Sequence, residues 1–141
     1  MESLHYLLMK SHTMLQRNII SEAAKIGLTS GKPKVLDYLL EHDGSDQKTI
    51  AAYCEIEPAT VGSILLRMEN IGLIERRQKP GNRRSLFVYL TEAGTKAALE
   101  MRTVFEEEDH LAAENLSAEE LQQLKEMLAR ICDTLEQHGE K

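Results

Sequence analysis

The stretch KTIAAYCEIEPATVGSILLRMENIGLIERRQKPGNRRSLFVYL, residues 48–90, decides the fold. Two apolar faces repeat at helical spacing within it. They are Ile50, Ala51 and Cys54 in the first helix and Val61, Ile64, Leu65, Met68 and Ile71 in the second. Pro58 separates the two and suits the first turn of a helix, because that position needs no N–H. Two helices joined by so short a connection predict a helix-turn-helix.

Two further runs, LIERRQ and SLFVYL, follow these helices. The second run alternates between two faces, and this period of two is typical of a strand. One face holds Leu86, Val88 and Leu90, and the other holds Ser85, Phe87 and Tyr89. Lys79-Pro80-Gly81-Asn82 between the runs has the chemistry of a turn. The pattern therefore predicts a β-hairpin, with Pro80 and Gly81 at its tip.

Helical patterns flank this module on both sides. Residues 1–27 read as one amphipathic helix, and Thr91 is placed to cap another that runs to about Ala113. Ser117 and Glu120 form a capping box for a last helix with a leucine stripe. We therefore expect a mainly α fold of the α+β winged-helix class, with domains 1–27, 28–90 and 91–141. The outer two would be dimerisation helices, whose contacts we assign to Leu4, Leu8, Leu121, Leu124, Leu128, Ile131 and Leu135.

The charges are distributed unevenly. The chain has 17 basic and 23 acidic residues, a net charge of -6. Residues 67–84 contain six basic and two acidic side chains, which is +4, so the rest of the chain carries -10. A local positive surface on an acidic protein indicates a polyanionic partner, and double-stranded DNA fits a helix-turn-helix.

Other function classes find little support. No apolar run is long enough to span a membrane, and the N-terminus lacks the pattern of a secretion signal. Cys54 and Cys132 form no disulfide or zinc pattern, so we expect two reduced, buried and inert thiols in a cytoplasmic protein. No phosphate-binding glycine loop, metalloprotease motif or nucleophile elbow is present, so we expect no enzyme and no cofactor.

The order of these parts resembles the MarR family of bacterial transcription regulators. The resemblance is most specific in ME-x-x-GLI-x-R at residues 68–76 and RR…V-x-LT-x-x-G at residues 83–94. It implies a homodimer that binds a pseudo-palindromic operator and releases it when a small molecule, metal or oxidant changes the dimer. It also implies that the sensing cysteine of redox-responsive members lies near the N-terminal helix, where this chain has none.

The predicted DNA contacts lie on three elements. Gln47 and Lys48 open the first helix, where unpaired N–H groups favour phosphate. Arg83 or Arg84 on the hairpin would enter the minor groove, with the choice between them open. On the second helix the contacts would be Thr60, Ser63 and Arg67, three and four residues apart.

The sequence departs from the family at two places. Asn82 stands where the family usually has an aspartate that orients an arginine of the hairpin. Gly62 and Ser63 stand where Ser/Thr and Arg are common, so this helix has small side chains at two reading positions. Arg76 fits the family phrase and is either structural or a contact.

Two alternatives remain at this stage. His110 with Glu106 and Glu107, or His5 with His12, would make the protein a metal-responsive regulator. A winged helix that binds protein instead of DNA is the other. If a small-molecule effector exists, we expect its site where the dimer helices meet the winged helix. The residues suggested for that site are His12, Arg17 and Tyr38.

Overall fold

The computed structural model describes residues 1–139, without the side chains of residues 82–84. The predicted mainly α, winged-helix class is confirmed. The elements are α1 (Leu4–Lys25), α2 (Lys32–Glu41), β1 (Ser45–Asp46), α3 (Gln47–Cys54), α4 (Pro58–Asn70), β2 (Ile74–Lys79), β3 (Asn82–Leu90), α5 (Glu92–Ala112) and α6 (Ala118–Gly139). They form two compact units, Met1–Glu106 and Glu107–Lys141.

The helix-turn-helix consists of α3 and α4. Asp46 caps α3, since its side chain accepts a hydrogen bond of 2.8 Å from the Thr49 N–H. Glu55 ends α3 in the left-handed conformation, with a φ of 53°. The predicted buried face of α4 is confirmed except at Ile71, which is 59% exposed. Ile71 is the C-cap of α4, so it lies where the buried face of the helix ends.

The wing, defined here as β2, β3 and the tip at Pro80 and Gly81, is the predicted antiparallel hairpin. Val88 on β3 is fully buried, whereas Leu86 is 42% exposed. The predicted inward alternation therefore fails at Leu86, because the hairpin extends beyond the core towards its tip. A short strand that we did not predict, β1, pairs with β3 and completes a sheet of order β1-β3-β2.

One hydrophobic core fills the first unit. Most of its large, fully buried side chains come from α2, α3, α4 and β3: Val35, Leu36, Leu39, Ile50, Val61, Leu65, Met68 and Val88. Ile19 and Ala23 of α1 and Met101 of α5 join this core. The helices that flank the module therefore already bury part of their apolar faces within the chain. The N-terminal half of α1 does not, and Leu4 there is 62% exposed.

The second unit contains α6. Its capping box is confirmed: the Ser117 N–H donates to Glu120 at 2.9 Å, and the Glu120 N–H donates to Ser117 at 3.0 Å. None of the α6 residues that the structure describes is buried. In a single chain the leucine stripe is therefore only partly covered: Leu135 is exposed, whereas Leu128 and Ile131 are half-buried. No helix within residues 1–139 is long and apolar enough to cross a membrane.

The two cysteines differ. Cys54 is buried as predicted, and desolvation raises the pKa of its thiol. Cys132 was expected to be buried as well, but it is exposed in the chain. The prediction failed there because Cys132 lies on α6, which has no buried face.

Thr91 and Gly94 join the start of α5 to the turn after α4. The Thr91 hydroxyl donates to the Gly72 carbonyl at 2.6 Å and accepts from the Gly94 N–H at 3.0 Å. A β-carbon at Gly94 would overlap the carbonyl oxygen of Leu73. Because that oxygen belongs to the backbone, no side-chain rotation can relieve the overlap. The LT-x-x-G phrase is thus explained by one cap and one close backbone approach.

We expect Gly94→Ala to lower the free energy of unfolding by about 3 kcal/mol, the upper range for overpacking a buried site. Urea denaturation followed by circular dichroism at fixed protein concentration measures the change. Gly139→Ala is the matched control, because no atom lies within 4 Å of the added carbon. Wild-type stability in Gly94→Ala would contradict the close approach at Leu73.

Candidate nucleic-acid interface

The start of α3 meets the start of α4 through Gln47. Its amide Nε2 donates to the Pro58 carbonyl at 3.2 Å, so the side chain lies across the first turn of α4. Gly62 leaves room for it, since a β-carbon there would lie 3.1 Å from the same nitrogen. One reason for the small residue at this position is therefore the packing of Gln47. Lys48 next to it is exposed.

The N-terminus of α3 is partly occupied by its own cap. The hydrogen bonds from Thr49 hold the pKa of Asp46 below its usual value, so Asp46 is a carboxylate at neutral pH. The Thr49 N–H is therefore already taken. The unpaired N–H groups that we expected for a phosphate are limited to the residues before it.

The outer face of α4 carries the predicted contacts. Thr60, Ser63 and Arg67 are all exposed, away from the buried face of the helix. The Ser63 hydroxyl lies 3.5 Å from the Ala59 carbonyl, at the limit of a hydrogen bond to its own helix. Sequence reasoning passed over Leu66 on this side, which is 50% exposed. Its position opposite the buried face was readable from the helical period.

Arg76 has a structural role at the base of the wing. Its guanidinium donates to the Glu69 carboxylate at 3.0 Å, and its side chain is only 18% exposed. The hydrogen bond from Arg76 holds the pKa of Glu69 below its usual value. This pair links β2 to α4 and supports a structural role for Arg76.

Two more cations of the wing lie over aromatic rings. The Arg77 guanidinium is 4.3 Å from the centroid of the Tyr89 ring, and the Lys79 ammonium is 4.2 Å from that of Phe87. Arg77 also pairs with Glu75. Both contacts are diagonal neighbours across the two strands, where such interactions are expected. The outward face of β3 therefore holds basic side chains in place.

Gly44 leaves room for the Tyr89 ring on the outward face of β3. Gly44 has a φ of 84°, and a β-carbon there would come 2.9 Å from the Tyr89 ring. Its N–H donates to the Val88 carbonyl at 2.8 Å. The connection before β1 thus packs closely against the Tyr89 ring, and the Arg77 guanidinium lies over that same ring.

The side chains of Asn82, Arg83 and Arg84 lie outside the described residues. Their backbone belongs to β3, which pairs with β2 in a register that places Lys79 opposite Asn82. The proposed minor-groove contact of Arg83 or Arg84 therefore stays a prediction, as does the consequence of Asn82.

A cavity of about 770 Å³ lies beside α4, within the first unit. Its walls come from α1, α2, α4 and α5 and are largely apolar, with Lys34 and Arg67 as the cations. The lining residues that the structure describes include no Asp or Glu. Thr60 and Ser63 also border it, so one flank of the predicted DNA-contacting face is a cavity wall. His12, Arg17 and Tyr38 do not line it.

The residues of the metal alternative form no recognisable centre. Within the described part of the chain, no three His, Cys, Asp or Glu side chains lie close enough together to hold a metal ion. His42 lies instead in a small aromatic group, stacked on Tyr38 with ring centroids 4.6 Å apart. Nothing in this geometry favours a metal-responsive regulator over one without metal.

Comparison with known proteins gives a consistent picture. The sequence pattern of the MarR family matches residues 28–86. The organic hydroperoxide resistance transcriptional regulator of Bacillus subtilis is 32% identical over 113 residues, which cover 80% of this chain and 76% of that protein.

Two solved structures share the fold. A mutant of E. coli MarR in complex with operator DNA has a TM-score of 0.80 at 19% identity, over 91% of this chain and 92% of that one. A Mycobacterium tuberculosis MarR family protein in complex with salicylic acid has a TM-score of 0.74 at 24% identity, over 93% and 97%. The chain belongs to the MarR family of DNA-binding transcription regulators, whose members are not enzymes.

Proposed function

We propose that the protein is a homodimeric repressor that binds a pseudo-palindromic operator and leaves it when a small-molecule effector binds. The single observation that carries the proposal is the exposed face of α4, with Thr60, Ser63 and Arg67, next to a wing that holds its cations in place. This regulator would act in the cytoplasm, where the operator is.

The DNA contacts would come from three elements, each with a different part of the duplex as its target. Thr60, Ser63 and Arg67 would enter the major groove, where Arg67 is long enough for a guanine or a phosphate. Gln47 and Lys48 would position the helices on the phosphate backbone. Arg83 or Arg84 would reach the minor groove from the wing. The E. coli MarR mutant in complex with operator DNA has the same fold, and this shared fold is its only support for the arrangement.

The dimer would be formed by the helices outside residues 28–90. Domains 1–27 and 91–141 would supply Leu4, Leu8 and the stripe of α6, which consists of Leu121, Leu124, Leu128, Ile131 and Leu135. Leu4 is 62% and Leu135 65% exposed in the single chain, a large apolar surface for a protein that stays monomeric. A second copy would cover it with the same stripe.

The effector site would be the cavity beside α4. Its apolar walls with Lys34 and Arg67 suit a small apolar anion, and salicylic acid is the ligand of a relative with the same fold. An anion near Arg67 would withdraw that guanidinium from DNA, and a ligand against Thr60 and Ser63 would crowd the reading face. Release would then follow from competition for the same side chains.

The test is binding of the full-length protein to a duplex from upstream of its own gene, measured by fluorescence anisotropy across a range of salt concentrations. We expect the affinity to fall steeply and linearly on a double-logarithmic scale, as counterions are released. Salicylate then serves as the effector probe. We expect salicylate to release the wild-type protein from the duplex. The Lys34→Ala variant should need a higher salicylate concentration for release, although its affinity for the duplex is unchanged.

Each part of the proposal can fail separately. If no duplex binds above non-specific strength, operator binding is wrong. If DNA binds but neither salicylate nor other small aromatic carboxylates release it, the effector site is wrong and the DNA contacts stand. An equal salicylate response in Lys34→Ala would place the ligand outside the cavity.

A further inference from the structure

The outermost line of α4 has apolar side chains at two of its four positions, Ala59 and Leu66. Ala59, Ser63, Leu66 and Asn70 follow one another at four, three and four residues, and all four are exposed. Ala59 presents only a methyl group, and the Ser63 hydroxyl is directed towards a carbonyl of its own helix at 3.5 Å. Gly62 beside them has no side chain and is covered by Gln47.

Leu66 is the large side chain in the middle of this line. It is 50% exposed and, unlike Thr60, Ser63 and Arg67, does not border the cavity. It therefore lies on the part of α4 that faces away from both the core and the effector site. A single exposed leucine needs no explanation by itself. On a helix that enters the major groove, however, it meets base edges and not water.

We propose that Leu66 recognises thymine in the operator, by packing against the 5-methyl group of the base. In the major groove this methyl is the apolar group that distinguishes thymine from cytosine and from the purines. A leucine side chain can neither donate nor accept a hydrogen bond, so it adds binding energy only through its contact with this methyl group. This inference rests on the proposed operator binding and names the base that the centre of α4 selects.

The chemistry of the surroundings fits this assignment. Arg67, which is long enough to reach a phosphate, follows Leu66 directly in α4. Phosphate contacts hold a protein in register but do not read the sequence. Besides the contacts proposed for Thr60 and Arg67, apolar contact is the direct readout left to the centre of α4. Gly62 has no side chain there, and the Ser63 hydroxyl is directed towards a carbonyl of its own helix. The operator should therefore have a required thymine in each half-site.

Thymine-to-uracil exchange tests the contact, because it removes the methyl group and leaves the base pairing intact. Duplexes of random sequence are first selected on the full-length protein, and thymines of the selected site are then replaced one at a time by deoxyuridine. We expect one exchange per half-site to weaken binding about fourfold, the value for one buried methyl group. Leu66→Ala should bind the thymine duplex more weakly and lose the difference between the two bases.

Two controls make the result specific. Leu99 on α5 is also an exposed leucine, 51% accessible, so Leu99→Ala should keep both the affinity and the uracil effect. Leu66→Met keeps an apolar contact and should retain most of the effect; circular dichroism confirms that each variant is folded.

The outcomes separate this inference from the proposed function. Salt-dependent specific binding with no sensitivity to uracil at any position would overturn the thymine contact and leave operator binding intact. A uracil effect that persists undiminished in Leu66→Ala would assign the methyl group to another residue. Failure to select any duplex would reject both proposals.

Discussion

Replacing Leu128 and Ile131 together by glutamate is expected to convert the dimer into monomers and to weaken operator binding at least about 100-fold. Both side chains belong to the stripe of α6 and are half-buried within the single chain. Each apolar side chain covered by a partner contributes about 2 kcal/mol, and a twofold axis doubles every contact. The two glutamates would remove that gain and place four carboxylates against one another.

The loss of DNA affinity follows from geometry. Two winged helices held in one dimer bind the second half-site at a high effective concentration, which typically raises the overall affinity by about 10²- to 10⁴-fold. A monomer keeps its contacts to one half-site but loses this gain. Analytical ultracentrifugation measures the assembly, and fluorescence anisotropy measures the affinity for the duplex.

The matched control places the same charges on the other side of α6. Gln123 and Ala129 are exposed and lie away from the stripe, so Gln123→Glu with Ala129→Glu adds the same two charges without touching the proposed interface. This control should remain dimeric and bind DNA as the wild type does, apart from a small electrostatic loss. A Leu128/Ile131 variant that stays dimeric would refute the assignment of the stripe.

The parts of the fold that could be predicted depend on local chemistry. The helix caps at Asp46, Thr91 and Ser117 each act within one helical turn, so a short window of sequence contains the whole cap. The same holds for the buried face of α4. Its periodicity is visible until the helix ends at Ile71, and there the prediction failed.

The parts that escaped prediction depend on pairing between distant residues. β1 has two residues, too few for any periodic signal, and its partner on β3 lies more than 40 positions later: Ser45 pairs with Val88. The burial of Ile19 and Ala23 likewise requires α1 to lie on the module, which no feature of α1 alone indicates. The cavity beside α4 depends on the same placement, and its lining does not include His12, Arg17 or Tyr38, which the sequence suggested for an effector site.

The residue types of the candidate site were predictable, but the different role of each basic residue was not. Five basic residues between Arg76 and Arg84 look equivalent in the sequence. In the structure Arg76 pairs with Glu69, while Arg77 and Lys79 lie over Tyr89 and Phe87. The diagonal contacts could have been derived from the hairpin, once Pro80 and Gly81 were accepted as its tip. The pair with Glu69 could not, because it needs the angle between β2 and α4.

Removing Arg83 and Arg84 together should lower operator affinity about 100-fold and reduce the salt slope by about two for each protomer, as expected when two cations no longer displace counterions. The reason lies in the other basic residues of the wing. Arg76 and Arg77 already pair with carboxylates, which neutralises part of their charge towards DNA. We therefore assign the main attraction of the wing to Arg83 and Arg84, on the strand that follows the tip.

Arg77→Ala with Lys79→Ala is the control that decides this prediction, because it removes the same formal charge from the same hairpin. Because Glu75 already neutralises part of the charge of Arg77, the loss of these two cations should cost about tenfold or less and change the salt slope less. Equal losses from the two pairs would mean that the wing acts only as a diffuse positive charge. If Arg83→Ala with Arg84→Ala unfolds the protein, these arginines brace the hairpin, and the wing must reach DNA through Arg77 and Lys79.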